Sequence, residues 1–131
     1  MKVDLKSQLL SLIRKWAPKL GISDYKFDFK MLGDRALSGD YARVETDEDT
    51  RESLIEFNKD RLSREPDEIE KTVAHELLHV RMNEYAEFVV DLLKEYVRNP
   101  NAKRILLRKA ERLEHKIVVA LTDALVKDKR K

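Results

Sequence analysis

The chain opens with a segment whose apolar residues recur every three or four positions. This spacing predicts an amphipathic helix over about residues 4–16, with one face packed on a core. Pro18 and Gly21 follow and predict where the helix stops. The apolar positions of this helix are Leu5, Leu9, Leu12, Ile13 and Trp16.

The next pattern has a period of two, which is typical of half-buried strands. In YKFDFKML (25–32), apolar and charged residues alternate, so one side faces the core. DYARVE (40–45) and ESLIEFN (52–58) predict two more strands, separated by the acidic turn TDEDT. Because short connections favour antiparallel neighbours, we expect a small three-stranded, mainly antiparallel sheet. The inward side chains of the first strand are Tyr25, Phe27, Phe29 and Met31.

Helical spacing returns in the second half of the chain. Pro66, followed by two acidic residues, is typical of a helix start and predicts a second helix to about residue 82. A third helix is expected over about 84–98, ended by Asn99 and Pro100, and a fourth over about 102–127. The order is therefore one helix, three strands and three helices. This predicts an α+β fold with a single domain spanning residues 1–131.

The second helix contains TVAHELLHVRM (72–82), which carries two of the three histidines. At 100° per residue, His75 and His79 lie about 40° apart, so both rings can point at one atom. Glu76 lies about 100° from His75, close enough to reach a metal-bound water. The helix is apolar nearly all round, so these polar groups would be costly to bury unpaired. A metal site fits this context better than two core histidines hydrogen-bonded to backbone or carboxylate.

A catalytic zinc site usually takes three protein ligands, so one more is needed. The pattern that would place a third histidine six residues after His79 fails, because position 85 is a tyrosine. On the fourth helix, a wheel centred on the apolar stripe places Glu114 about 50° from the centre, Glu111 about 110° and His115 about 150°. Glu114 is therefore the predicted third ligand, with Glu111 next, while His115 should face solvent. Glu114 could instead be a rim residue paired with an arginine. The stripe consists of Leu106, Ala110, Leu113, Ile117, Ala120, Leu121 and Ala124.

Composition excludes several classes of site and partner. There is no cysteine, so any metal must be held by histidine and carboxylate. Charged residues make up 40% of the chain, but the signs are interspersed and the net charge is only +2, which indicates a solvated surface. AKRILLRKAER and KDKRK are the most basic stretches, but no nucleic-acid partner is expected. The opening segment resembles neither a signal peptide nor a membrane span, so we expect a cytoplasmic protein without a membrane partner.

The motif HELLH, after a strand and before a glutamate on a later helix, resembles a minimal gluzincin-type zinc metallopeptidase. The chain is similar to small single-domain archaeal gluzincins, and EHKIVVALTDAL is similar to the C-terminal helix of short zincin-like phage and prokaryotic proteins. The resemblance covers about residues 25–125, and HELLH is its specific part. It implies a zincin-like fold that hydrolyses peptide bonds. The implied roles are Zn²⁺ ligation by His75, His79 and Glu114, and general-base catalysis by Glu76.

The resemblance also implies that the edge strand DYARVE holds an extended peptide or protein substrate by main-chain hydrogen bonds. The chain departs from the larger gluzincins at Val118, where they carry an acidic residue. Two rival hypotheses are a latent or non-catalytic zinc-stabilised scaffold and, less favoured, a small nucleic-acid-binding protein. Cleavage preference and oligomeric state have no sequence signature here. The predicted substrate contacts are Tyr41, Ala42, Arg43 and Val44, and the candidates to stabilise the tetrahedral intermediate are Tyr41, Tyr85 and His115.

Overall fold

The computed structural model describes residues 4–126 and has the predicted α+β composition. Within this range no helix combines the length and apolarity that a membrane span requires. The predicted helix end at Lys127 and the KDKRK tail lie outside the described residues. The elements in chain order are α1 (Leu5–Lys19), β1 (Lys26–Leu32), β2 (Ala42–Asp47), β3 (Glu52–Asn58), α2 (Lys59–Arg64), a 3₁₀ turn (Pro66–Glu68), α3 (Ile69–Tyr96) and α4 (Pro100–Val126).

Helix α1 forms as its apolar spacing predicts. The Asp4 carboxylate accepts a hydrogen bond from the Ser7 backbone N–H at 2.8 Å and so satisfies one of the free donors of the first turn. Leu9, Ile13 and Trp16 are buried in the core between α1, the sheet and α3. The indole N–H of Trp16 donates to Glu70 of α3 at 2.9 Å, which fixes where α1 lies against that helix.

The sheet has the order β1-β3-β2, so β3 is central and β2 is an edge strand. β2 pairs with β3 antiparallel, but β1 pairs with β3 in parallel, and the predicted mainly antiparallel sheet is wrong for that pair. The reason is the link of residues 33–41, which is long enough to carry the chain from one edge of the sheet to the other. The centre of the sheet is thereby left for β3, where Ile55 and Phe57 are fully buried.

Helix α3 is a single helix of 28 residues, so the predicted break near residue 83 is wrong. No glycine or proline lies between residues 69 and 96, and nothing therefore ends the helix. At the predicted break, the Asn83 side chain donates to Glu48 at 2.7 Å. The short helix α2 was not predicted; Asn58 caps it by accepting from the Arg61 N–H at 2.9 Å.

Helix α4 runs antiparallel to α3 along its length. The face that packs is not the predicted apolar stripe, because the buried residues are Val118, Thr122 and Val126, while Leu113 and Ile117 are exposed. Thr122 fits the packed face because its hydroxyl donates to the Val118 carbonyl at 2.7 Å. The antiparallel alignment is seen in three contacts: Lys71 with Asp123 (2.9 Å), His79 with Glu114 (2.8 Å), and the Lys103 ammonium with the Lys94 carbonyl (3.4 Å).

Candidate metal centre

All three histidines of the chain meet where α3 and α4 face each other. His75 and His79 are one turn apart on α3, and their ring centroids are 4.9 Å apart. The ring of His115, from α4, lies 5.7 Å from His75 and 6.2 Å from His79. One nitrogen of each ring lies within 4.8 Å of the others. The three histidines are therefore close enough to bind a metal ion.

The donor set suits a transition metal. Nitrogen atoms bound to one tetrahedral zinc lie roughly 3.3 Å apart, given Zn–N distances of about 2.0–2.1 Å, so small side-chain rotations would close the cluster. Burial, and then the neighbouring His79, lower the pKa of His75 to about 4. His75 is therefore neutral at physiological pH, the form that ligates a metal.

Glu114 lies beside the cluster and contacts one of its rings. Its Oε2 atom is 2.8 Å from Nδ1 of His79, and both side chains are about three-quarters buried. A carboxylate at this position keeps the proton on Nδ1 and leaves the Nε2 lone pair for a metal. This contact is with a histidine ring, whereas the sequence predicted that Glu114 ligates the metal directly. Direct ligation by Glu114 stays a prediction. The group that joins His75 and His79 is His115.

His115 was expected to face solvent, and its side chain is indeed exposed, although its ring lies in the cluster. The wheel misjudged its position because it was centred on the most apolar stripe. Centred on Val118, which α4 buries, the wheel places His115 only about 60° from the packed face. A search of the fourth helix for polar side chains that could join His75 and His79 would have found His115, because it is adjacent to the predicted ligand Glu114.

Glu76 is the acidic residue nearest in sequence to the ligand positions, and it is 7% exposed. Burial, followed by the negative charge of Asp40, raises the pKa of its carboxyl group to about 7. A carboxylate that exchanges a proton near neutral pH is suited to general acid–base chemistry. Its place on α3 follows from the motif, because the residue after His75 turns about 100° round the helix.

A groove of about 680 Å³ exposes these groups to solvent. One wall is formed by the three histidines, Glu76 and Glu114, and the other by β2 and the residues before it. The predicted substrate contacts Tyr41, Ala42, Arg43 and Val44 all line this groove. β2 pairs with β3 along one side only, so its outer edge is available to an extended chain.

The start of β2 is held in place by a buried amide. Asn58 is fully buried, and its side-chain NH₂ donates to Asp34 at 2.7 Å and to the Asp40 carbonyl at 2.9 Å. Its backbone N–H also donates to the Tyr41 carbonyl at 2.9 Å. The Tyr41 hydroxyl donates to Glu65 at 2.7 Å, and this bond raises the pKa of the tyrosine. The groove wall is therefore fixed by the end of β3 and by α2.

No known protein family, curated protein or solved structure matches this chain. Its function is therefore inferred from the chemistry of the groove.

Proposed function

We propose that this protein is a zincin-like metallopeptidase that hydrolyses peptide bonds with Zn²⁺ held by His75, His79 and His115. The observation that carries the proposal is that three histidines and a buried glutamate line the same groove as an open strand edge. Each part has a role in peptide hydrolysis: the histidines hold a metal, the glutamate moves a proton, and the strand edge binds the substrate main chain.

Zinc is the metal that this donor set favours. Three imidazoles and no thiolate match catalytic zinc sites, which keep a fourth position open for water or substrate. When bound, the ion supplies Lewis-acid polarisation of a carbonyl and lowers the pKa of water. Glu114 acts as a positioning residue, since its contact with Nδ1 of His79 orients that ring.

Glu76 acts as the general base and then as the general acid. Its carboxylate takes a proton from the attacking water and delivers it to the leaving amine. The raised pKa supports both halves of this cycle, because the group releases and accepts a proton at close to neutral pH. Its carboxylate has no hydrogen-bond partner among the contacts described for residues 4–126, so it is free to exchange a proton in the groove.

The substrate is an extended peptide or an unfolded protein segment. Its main chain pairs with the outer edge of β2, and its scissile bond lies over the histidines. Arg43 at this wall is paired with Glu56 at 2.7 Å, which partly neutralises its charge.

The test is substitution of Glu76 by glutamine. Glu76→Gln should keep stoichiometric zinc, measured by mass spectrometry of the metal, and lose about a thousandfold or more of its activity on a quenched fluorescent peptide library. Glu95→Gln, an exposed site on the same helix, is the matched control and should keep full activity. A Glu76→Gln protein as active as the parent would overturn the proposal.

The ligand set is tested separately. His115→Ala should weaken zinc binding by at least a thousandfold in competition with a chromogenic chelator, whereas Glu114→Gln should weaken it by about 10–100-fold, as expected for a group that only orients a ligand. The reverse ranking would make Glu114 the third ligand and His115 a bystander.

A zinc-stabilised scaffold without turnover is the second candidate, and one observation favours it. The ligands come from both α3 and α4, and α4 buries only three of its described residues, so a bound metal would join two weakly packed helices. If chelation melts α4 while the zinc-loaded protein cuts no peptide in the library, this function replaces the first.

A further inference from the structure

The α3–α4 hairpin carries an apolar surface that nothing covers in the described chain. We call this surface the apolar face. Its side chains are between 39 and 73% exposed. A contiguous exposed apolar surface of this kind is typical of an interaction site, whereas a single exposed leucine is not. The residues of the apolar face are Tyr85, Phe88, Leu92 and Tyr96 on α3, and Leu106, Leu113, Ile117 and Leu121 on α4.

Both halves of the apolar face lie on the same side of the hairpin. On α4, these residues lie on average about 110° from the Val118 direction that faces α3. On α3, the residues of the apolar face lie about 115° from Ala86, which lies on the side of α3 that faces α4, and the rotation has the same sense as on α4. Because the two helices are antiparallel, equal rotations in the same sense point to the same side of the hairpin. His115 lies about 60° in the opposite sense. The apolar face and the metal centre are therefore on opposite sides of the hairpin.

The hairpin beyond the metal centre has no core of its own. From residue 81 to residue 117, not one residue is buried, although nearly all of this segment is helical. Helices in water derive most of their stability from tertiary packing, so two helices that bury so little need a further partner. On α4, the apolar positions 106, 110, 113, 117, 120 and 124 alternate in spacing between four and three residues, which is the repeat of a helix-packing seam.

We propose that a second copy of this chain packs on the apolar face, so that the two hairpins form a four-helix bundle. The residues of the apolar face span about 24 Å of α4 (106–121) and about 18 Å of α3 (85–96), at about 1.5 Å per residue. With helices about 10 Å wide, the face covers about 420 Å² per copy, hence about 840 Å² for the pair. This is the size of a weak, concentration-dependent protein interface.

The distribution of charge on the hairpin also favours a second copy of this chain as the partner. Residues 81–96 of α3 carry four acidic and two basic side chains, whereas residues 100–117 of α4 carry six basic and two acidic ones. A second copy related by a two-fold axis along the hairpin places each acidic α3 over a basic α4. The antiparallel alignment then brings Glu84 of one copy next to Lys109 of the other. Within one chain, Glu84 and Lys109 point from opposite edges of the hairpin and cannot pair, and the Glu84 carboxylate lies 4.0 Å from the exposed Arg51 guanidinium.

The first experiment measures mass in solution for the zinc-loaded full chain by light scattering, at about 10–200 µM. The mass of the parent should rise with concentration and approach about 31 kDa at 200 µM, twice the 15.4 kDa of one chain. Phe88→Glu and Leu113→Glu should each give a monomer with unchanged far-UV circular dichroism and unchanged zinc content. Lys94→Glu, on the other side of the hairpin, is the control and should remain a dimer.

Charge reversal tests the arrangement of the two copies. Glu84→Lys and Lys109→Glu should each weaken the dimer by about tenfold in sedimentation equilibrium, and the double reversal in one chain should restore it. A parent that is monomeric at 200 µM, or a dimer that survives both Phe88→Glu and Leu113→Glu, would overturn the proposal. Dimers broken by the apolar substitutions but without rescue by double reversal would overturn the paired α3–α4 arrangement. Peptide hydrolysis is scored separately, so failure of one proposal leaves the other intact.

Discussion

Replacing Glu76 by glutamine should stabilise the metal-free protein while removing its proposed chemistry. Glu76 is 7% exposed, and burial is the main reason that its pKa rises to about 7 from an ordinary value of 4.5. A group that resists ionisation in the folded protein costs folding energy whenever the pH forces it to ionise. Glutamine has nearly the same shape and carries no charge, so this cost disappears.

The magnitude and the sign follow from the difference in pKa. A shift of about 2.5 units at about 1.36 kcal/mol per unit gives a cost of about 3 kcal/mol. Because the folded pKa lies above the unfolded one, the folded protein holds the extra proton. The cost is absent below about pH 4.5, grows as the pH rises, and is complete above about pH 7. The stability gained by Glu76→Gln should therefore be near zero at pH 4 and about 3 kcal/mol at pH 8.

Urea unfolding of both proteins, followed by circular dichroism in the presence of a chelator, measures this difference at several pH values. Glu95→Gln serves as the control because Glu95 is exposed on the same helix, and it should change stability by less than about 0.5 kcal/mol throughout. A Glu76→Gln protein less stable than the parent at pH 8, or a gain that does not depend on pH, would refute the assignment of a desolvated carboxyl group.

Other substitutions probe the scaffold and the metal. Leu77→Ala should cost about 2–5 kcal/mol in urea unfolding, because Leu77 is fully buried in the main core and its loss leaves a cavity; a cost under 1 kcal/mol would contradict that packing. Asn58→Ala should lower the free energy of unfolding by about 2 kcal/mol, because it removes the hydrogen bonds to Asp34 and to the Asp40 carbonyl. It should also raise KM for peptides more than it lowers kcat, and an unchanged KM would show that the wall of the groove does not depend on Asn58. Removing zinc with a chelator should lower the melting temperature, because a metal held at about 1,000 times its Kd stabilises the fold by about 4 kcal/mol; equal melting temperatures with and without chelator would count against tight binding by the native cluster.

The local patterns of the sequence predict those parts of the fold that local physics controls. β3 occupies residues 52–58 as predicted, and in β1 the charged positions are exposed while Phe27 and Phe29 are partly buried, because a two-residue period leaves little choice of face. The pairing of β1 with β3 depends instead on where the link of residues 33–41 travels. That path is set by contacts such as those of Asn58, which are long-range and leave no periodic signal.

The candidate metal centre divides in the same way. His75, Glu76 and His79 lie on one helix, so their relative directions follow from the helical repeat alone. The position of His115 depends on which face α4 turns toward α3. Hydrophobicity favoured the stripe of Leu113 and Ile117, whereas the packed face contains Glu114, Val118 and Thr122. An apolar stripe predicts that a helix will be covered, but it does not say whether the same chain or another molecule covers it.

Helix α3 runs unbroken from the core into the hairpin, and His75 and His79 lie part of the way along it. Two candidate ligands therefore belong to a helix anchored in the core, while the third belongs to α4, which buries only three of its described residues. A slip of one residue moves α4 by about 1.5 Å, far more than the roughly 0.2 Å tolerance of a zinc–nitrogen bond. Metal affinity would consequently depend on the register of α4 against α3, because the three histidines approach one another only in this alignment.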